Sequence, residues 1–386
     1  MENTQQVRAA LYVEVAKIVL AALIAFAALA FTAGQRIDLE NLAKGEQNTS
    51  RMEETNGKPY TAATVKEIKA LIDTLSTGNR ESACTPSSAA VLWLGNSQLH
   101  YINQYKEGNH LAPYWLRSMW NDPACIEPLG CSLPNANFQE FVILSRYAAM
   151  QSSIQLLIVE LVFDDLREDA IRDDFTVILS PNVKAEMRHT SHTADAIVGR
   201  FLLTNKDVGD AGENVTLSGT IQEPVEEWLN ARLSAAWNLW ASRPQIEGNV
   251  YLGLYNLRNY LLGIKPTTVR KMIRARYDLN MEALRDILQD YRQRGIPVLL
   301  YIAPIRQDKP IPYDYNEYIQ WKHELTEEAQ HSGAHLVNLE QLVPGEMWGS
   351  YTADDIDFMH FQGPGHRLVA EALLPYVQKF LGARGN

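Results

Sequence analysis

The sequence predicts an α/β fold, a three-layer arrangement in which a parallel sheet is covered by helices on both faces. Three observations lead there. Short, continuous apolar runs recur along the chain, and helix-compatible stretches separate them, as strands buried on both faces require. The composition, 46% hydrophobic and 21% charged over 386 residues, is that of a globular protein long enough to build a sizeable core. The formal net charge of −11 and the lack of any useful basic run exclude a nucleic-acid surface as the main partner.

Taken in order, the chain begins with a segment unlike the rest. Residues 18–33 (IVLAALIAFAALAFTA) are apolar apart from Thr32, and residues 9–13 extend the pattern past Glu14 and Lys17. A helix over residues 9–33 is about 37 Å long at roughly 1.5 Å per residue, enough to cross a bilayer. A transmembrane anchor over residues 1–33, with membrane lipid as its partner, is therefore expected; a cleaved signal peptide ending near Ala28-Leu29-Ala30 is the competing reading. Arg8 and Lys17 precede or enter the span and Arg36, Lys44 and Arg51 follow it, so the positive-inside count is nearly balanced. A single span before a large C-terminal domain favours a cytoplasmic N-terminus and a main domain in the periplasm or outside the cell. Cys125 and Cys131 are close enough in sequence for a small-loop disulfide, which leaves Cys84 unpaired.

Residues 34–60 are polar and predict a linker, and the α/β domain is expected over 61–386. A helix is predicted over 64–75, then a strand at 90–94 followed by helical pattern to about Tyr105. Further strands are predicted near 125–129, 154–163, 295–304 and 334–339. Helices are predicted over 138–150, 281–294 and 365–381, and residues 326–332 continue a helix into the strand at 334–339. Between about 182 and 278 the rhythm breaks. Trp228, Trp237, Trp240, Tyr251, Tyr255 and Tyr260 predict a helical insertion with its own aromatic core, or an aromatic surface meeting lipid, glycan or a partner.

Chemistry concentrates in two places. Leu94-Gly95-Asn96-Ser97 delivers a serine where a buried strand gives way to a helix, and Asp357-Phe358-Met359-His360 places a carboxylate three residues before a histidine, in a loop entering the last helix. Such a carboxylate can turn back on the imidazole and fix its tautomer, and both segments can reach the carboxyl rim of one sheet.

With Gly365 closing the second segment, these blocks resemble those of the SGNH (GDSL-type) hydrolase family, whose sheet is flavodoxin-like. Residues 125–134 (CIEPLGCSLP) resemble its second block and residues 156–167 (LLIVELVFDDLR) its third; the likeness covers roughly 85–180 and 290–382. The resemblance implies Ser97 as nucleophile, His360 as general base and Asp357 as its orienter, with neither metal nor organic cofactor. It also implies an oxyanion hole built from the N–H groups of Ser97 and Gly130 and from the third-block position, here Asp164. That position departs from the family, which presents an asparagine amide there; an ionised carboxylate only accepts hydrogen bonds. A protonated Asp164, a replacement donor such as Gln98 or Asn135, or a slow or silent site are the alternatives. Val162 stands where the third block has glycine, and Asn96 where the first has aspartate.

Within the family, single-span members resembling the D-alanyl transfer protein and alginate-type O-acetylation proteins work beside a multi-span membrane protein or in a larger membrane complex. The resemblance thus implies an extracytoplasmic serine esterase or acyltransferase acting on an acylated glycan or other envelope ester. The alternative is a non-catalytic structural or assembly subunit of a membrane complex on the same fold. Elsewhere, His189 and His192 predict a solvated loop, His100 a helix residue near the site, His366 a structural residue or a substitute base, and Asn214-Val215-Thr216 a glycosylation sequon.

Overall fold

The computed structural model describes residues 54–55, 58–76, 89–121, 126–151, 154–207, 268–352 and 355–382. The chain divides into two compact units, and every described residue falls in the one formed by Gly45–Gly212 and Pro266–Asn386. The expected span at 9–33, Cys84, Cys125, the sequon at Asn214 and the aromatics from Trp228 to Tyr260 lie outside the described residues. Among the described residues no helix is long and apolar enough to cross a membrane.

The strands are β1 (Glu54–Thr55), β2 (Lys58–Pro59), β3 (Thr61–Ala62), β4 (Ala89–Gly95), β5 (Ile126–Ser132), β6 (Ile154–Leu161), β7 (Val298–Ile302), β8 (His335–Asn338), β9 (Trp348–Thr352) and β10 (Asp355–Phe361). The helices are α1 (Val65–Ser76), α2 (Ser97–His100), α3 (Ala112–Ser118), α4 (Phe138–Gln151), α5 (Pro181–Met187), α6 (His192–Asp207), α7 (Arg274–Gln293), α8 (Tyr315–Ser332) and α9 (Gly363–Gly382). Strands β3 to β8 form one parallel sheet in the order β3-β5-β4-β6-β7-β8. The described part of the expected linker is instead a short antiparallel pair, β1 with β2.

Why these apolar runs become strands is visible in where alternate residues go. Ala90, Leu92 and Leu94 of β4, Leu157, Val159 and Leu161 of β6, and Leu300 and Ile302 of β7 join one core. Ile68 of α1, Phe141 of α4, Tyr291 of α7 and Trp321 of α8 pack into it. The intervening Val91, Trp93, Leu156, Ile158, Leu299 and Tyr301 join a second core with Leu116 of α3 and Val369 and Leu373 of α9. A period of two with both faces apolar leaves a continuous hydrophobic run, and each buried aliphatic side chain contributes about 1.5–3 kcal/mol. The three predicted layers are the observed ones.

Boundaries differ where local chemistry outweighs periodicity. Helix α2 stops at His100 instead of running to Tyr105, because Tyr101 is extended (φ −113°, ψ 125°) and the Asn103 N–H is taken by the Phe361 carbonyl. Helix α8, which contains the expected helical residues 326–332, begins at Tyr315, since Asp314 Oδ1 accepts the N–H groups of Asn316 and Glu317 at 3.1 and 3.2 Å as an N-cap. It ends on Gly333, whose φ of 77° is left-handed. Helix α7 begins at Arg274, before the expected residue 281. The Asp357–His360 segment, expected as a loop, lies within β10, which pairs with β9 through an irregular, shifted register.

Gly95, the last residue of β4, shows how tightly the sheet edge is filled. A Cβ there would lie 2.7 Å from Glu160 Oε2 and 2.8 Å from Leu99 Cδ2, both belonging to buried residues. The Gly95→Ala variant is expected to lose about 1–3 kcal/mol of folding free energy by overpacking, measured as a lower midpoint in denaturant unfolding.

Candidate active site

Four groups of Asn96 decide where Ser97 stands. Its backbone N–H donates to Glu160 Oε2 at 2.9 Å, and its side-chain Nδ2 donates to both oxygens of Asp165 at 3.1 and 3.2 Å. Its Oδ1 accepts the Gln98 N–H at 2.8 Å, capping α2, and its carbonyl accepts the Ser132 hydroxyl. With the Ser132 proton so committed, His100 Nδ1 is the donor in its 2.6 Å bond to Ser132 Oγ. His100 is therefore part of the support beneath the turn.

The half-buried Ser97 Oγ lies 2.9 Å from His360 Nε2, and His360 Nδ1 lies 3.0 Å from Asp357 Oδ2. The Asp-x-x-His spacing acquires a local cause here. Asp357 Oδ1 accepts the N–H groups of Met359 at 2.8 Å and His360 at 2.9 Å, so the carboxylate closes a turn over its own backbone and meets the imidazole with its other oxygen. With Nδ1–H donating to the carboxylate, Nε2 is left as the acceptor for the Ser97 hydroxyl proton. Burial pushes the Asp357 carboxyl up, but the nearby His360 ring and these hydrogen bonds outweigh it and hold the group below its ordinary value. The structure thus brings together three side chains that stand 263 residues apart at their widest.

Several supporting residues carry no sequence motif. Asn103, fully buried, donates from Nδ2 to Asp357 Oδ2 at 2.9 Å. The buried Arg306 donates from Nη1 to the carbonyls of Gly349 at 3.0 Å and Asp357 at 3.3 Å, while Asp308 holds its other nitrogens. Tyr101 lays its ring against His360, with centroids 4.4 Å apart. His366 lies 3.1 Å from the Tyr101 carbonyl through Nε2, which must donate. Burial pushes its imidazole down to about 3, so it stands neutral as a structural donor and not as a substitute base.

The oxyanion side differs from what the family resemblance implies. Gly130 lies inside β5, and its N–H donates at 2.8 Å to the Tyr60 carbonyl where β5 pairs with β3, so that donor is spent. Asp164, on the turn Phe163–Arg167 after β6, is held by Arg167 Nη1 at 3.2 Å and by Arg270 Nη1. It is an acceptor paired with two guanidinium groups. Gln98 cannot replace it, because its Nε2 donates to the carbonyls of Met359 at 2.8 Å and Pro304 at 3.2 Å, tying α2 to the histidine-bearing strand. Asn135 occupies a left-handed position (φ 50°) in the turn after β5. The Ser97 N–H remains without a hydrogen-bond partner among the described residues.

The other marked residues fall elsewhere. His189 and His192 are exposed and face Asp195 and Glu282 respectively. No group of three or more His, Cys, Asp or Glu side chains among the described residues is arranged to hold a metal ion. Cys131 is a free thiol sealed in the core.

No protein family matches the sequence, and no curated protein does. Among solved structures, the chain is similar to a "putative acylhydrolase" from Bacteroides fragilis, with 12% identity over 81% of this chain and 98% of that one and a TM-score of 0.35. It is similar to a "putative platelet activating factor" from Streptococcus pneumonia, with 12% identity over 81% and 91% and a TM-score of 0.34. It is also similar to a carbohydrate acetylesterase family member from Sinorhizobium meliloti, with 10% identity over 76% and 99% and a TM-score of 0.31. Likeness at these TM-scores carries no inference about chemistry.

Two outcomes test this geometry. A Cβ on Gly349 would fall 1.9–2.4 Å from the Asn103 amide atoms, so Gly349→Ala must push that amide off Asp357. Gly349→Ala and Asn103→Ala are each expected to slow the reaction of the Ser97 hydroxyl with a fluorophosphonate about tenfold, with a double variant no slower than either, measured as labelling rates in a double-mutant cycle. His366 stays neutral when folded but gains a proton near 6.5 when unfolded, so stability is lost as pH falls below that value. The His366→Gln variant is expected to lose less stability than wild type between about pH 7 and pH 4, read from thermal midpoints.

Proposed function

We propose that this protein is a serine ester hydrolase or O-acyltransferase that works through an acyl-Ser97 intermediate. The observation that carries the reading is the unbroken hydrogen-bonded line from Asp357 through His360 to Ser97 at the carboxyl rim of the sheet. Each member's local structure points it into that line.

In the reaction, Ser97 Oγ bonds to the ester carbonyl carbon as its proton passes to His360 Nε2, and the carbonyl electron pair moves onto oxygen. Asp357 stabilises the imidazolium and keeps Nδ1 protonated. The unengaged Ser97 N–H supplies a donor for the oxyanion. Collapse breaks the bond to the leaving oxygen, which takes the proton from Nε2 and departs as an alcohol. An acceptor hydroxyl, from water or a sugar, then gives its proton to Nε2 and attacks the acyl-Ser97 carbonyl; the Ser97 Oγ–acyl bond breaks and Ser97 Oγ takes the proton back from Nε2. The loss of one oxyanion donor costs about 2.7–4 kcal/mol. With Gly130 spent and Asp164 an acceptor, turnover is expected to be slow.

The sequence supports a finer version. An apolar segment at 9–33 suits a membrane anchor, and an anchored enzyme outside the cytoplasm suits acyl esters of a cell-envelope polymer, beside a multi-span membrane partner. One observation favours a second reading, a non-catalytic subunit of a membrane complex on this fold: Asp164 sits between two arginines where an amide donor is needed.

A fluorophosphonate probe separates the two on full-length protein. Labelling at Ser97 is expected in the wild type and is expected to vanish in Ser97→Ala. The Asp357→Asn variant is expected to react about 10⁴-fold more slowly, because an amide there holds the imidazole in the wrong tautomer. No labelling of folded wild type supports the non-catalytic subunit.

A further inference from the structure

A buried carboxyl under the nucleophile turn is used by neither the reaction nor the sheet. Glu160 interrupts the apolar run of β6 and is 2% exposed. It faces the same core as Trp93 and Tyr301 instead of solvent. Its Oε2 takes the Asn96 N–H at 2.9 Å, and its Oε1 takes the Tyr301 hydroxyl proton at 3.0 Å. Tyr301 in turn accepts from Trp93 Nε1 at 3.3 Å. A carboxylate buried in an apolar layer is costly and survives only where its hydrogen bonds are well made. Those bonds end at the residue immediately before Ser97. We propose that Glu160 is a positioning residue for Ser97, holding the nucleophile turn in register with His360 while it is ionised and releasing it when protonated. The inference rests on the reading of Ser97 as nucleophile.

The surroundings define the ionisation. Burial pushes Glu160 up, and its bonds from Asn96 and Tyr301 oppose that, leaving it at about 7. The other groups facing it are Tyr301 on β7 and Asp165 on the turn after β6, with Asp164 and Glu168 behind. Asp165 is itself pushed well above its ordinary value, chiefly by burial, and bonds the same asparagine. Asp165 and Glu160 therefore disfavour each other's charge across the one residue they both bond. The active form then requires Glu160 deprotonated and His360 neutral. Reactivity falls on acidification through two ionisations, not one.

The test is the rate of fluorophosphonate labelling of Ser97 against pH in full-length protein. Wild type is expected to lose rate by two protons on the acid limb, a hundredfold per pH unit at its steepest. Glu160→Gln keeps an acceptor for the Asn96 N–H but neither charge nor titration; it is expected to label about tenfold more slowly at high pH and to show a one-proton acid limb. Tyr301→Phe removes a bond that lowers the Glu160 value, so the inflection lost in Glu160→Gln is expected to move to higher pH. A fold defect is separated by thermal midpoints. A raised carboxyl makes the folded state lose stability as pH climbs from the unfolded value through 7, so Glu160→Gln is expected to melt no lower than wild type at pH 8. Identical one-proton profiles in wild type and Glu160→Gln, or an unmoved inflection in Tyr301→Phe, overturn the assignment. Absence of any Ser97 adduct in wild type overturns the esterase reading and this inference with it.

Discussion

The site depends on one residue being held from four directions. Asn96 sits where β4 ends, and every polar group it carries is committed: backbone N–H to Glu160, side-chain amine to Asp165, side-chain oxygen to the start of α2, carbonyl to Ser132. A strand-to-helix turn with free groups would fluctuate among hydrogen-bonded alternatives; this one has none left to adopt. The neighbouring serine inherits that definition. The arrangement also explains why two acidic side chains are tolerated beneath an apolar sheet, since removing either strands a buried donor at a cost of about 1–3 kcal/mol.

The second half of the site reaches the same rim from the far end of the chain, and its precision has a different origin. The β9–β10 pair is irregular, so ladder register alone does not fix His360. Side chains replace it. Asp357 folds over its own backbone, Asn103 and Arg306 hold the acid and its carbonyl, and Gln98 ties the Met359 carbonyl to α2. Ser97 and His360 are therefore cross-braced by the residue next to each. Exposure falls along the line, from a half-buried serine to an aspartate side chain only 9% exposed. That gradient is what the proposed acyl transfer needs, with the serine at the outer end of the line and the carboxylate at its inner end.

Much of the fold was legible because both-face burial leaves a plain mark: Ala89–Gly95, Ile154–Leu161 and Val298–Ile302 are nearly unbroken apolar runs. Ser97, His360 and Asp357 were legible because their spacing carries a mechanism. What stayed hidden depends on pairing across distance. β3 is two residues long, too short for any period, yet Tyr60 just before it accepts the Gly130 N–H, the donor that the family resemblance assigns to an oxyanion hole. The polar–apolar alternation of Asp355–Phe358 is a strand signal, but the Asp-x-x-His spacing inside it suggests a loop. Asn103 and Arg306 look like ordinary loop residues until the β9–β10 pair lies over them. In sequence Glu160 is only a break in an apolar run, and its role depends on Asn96 and Tyr301 lying on either side of it.

The central claim is that His360 is locked with its proton on Nδ1, facing Asp357, and its lone pair on Nε2, facing Ser97. The nitrogen NMR shifts of His360 in full-length protein, recorded with the ring neutral, report this directly. An Nδ1-protonated ring is expected in the wild type, reverting toward the Nε2-protonated form in Asp357→Asn. An Nε2-protonated or freely exchanging ring in the wild type would contradict it.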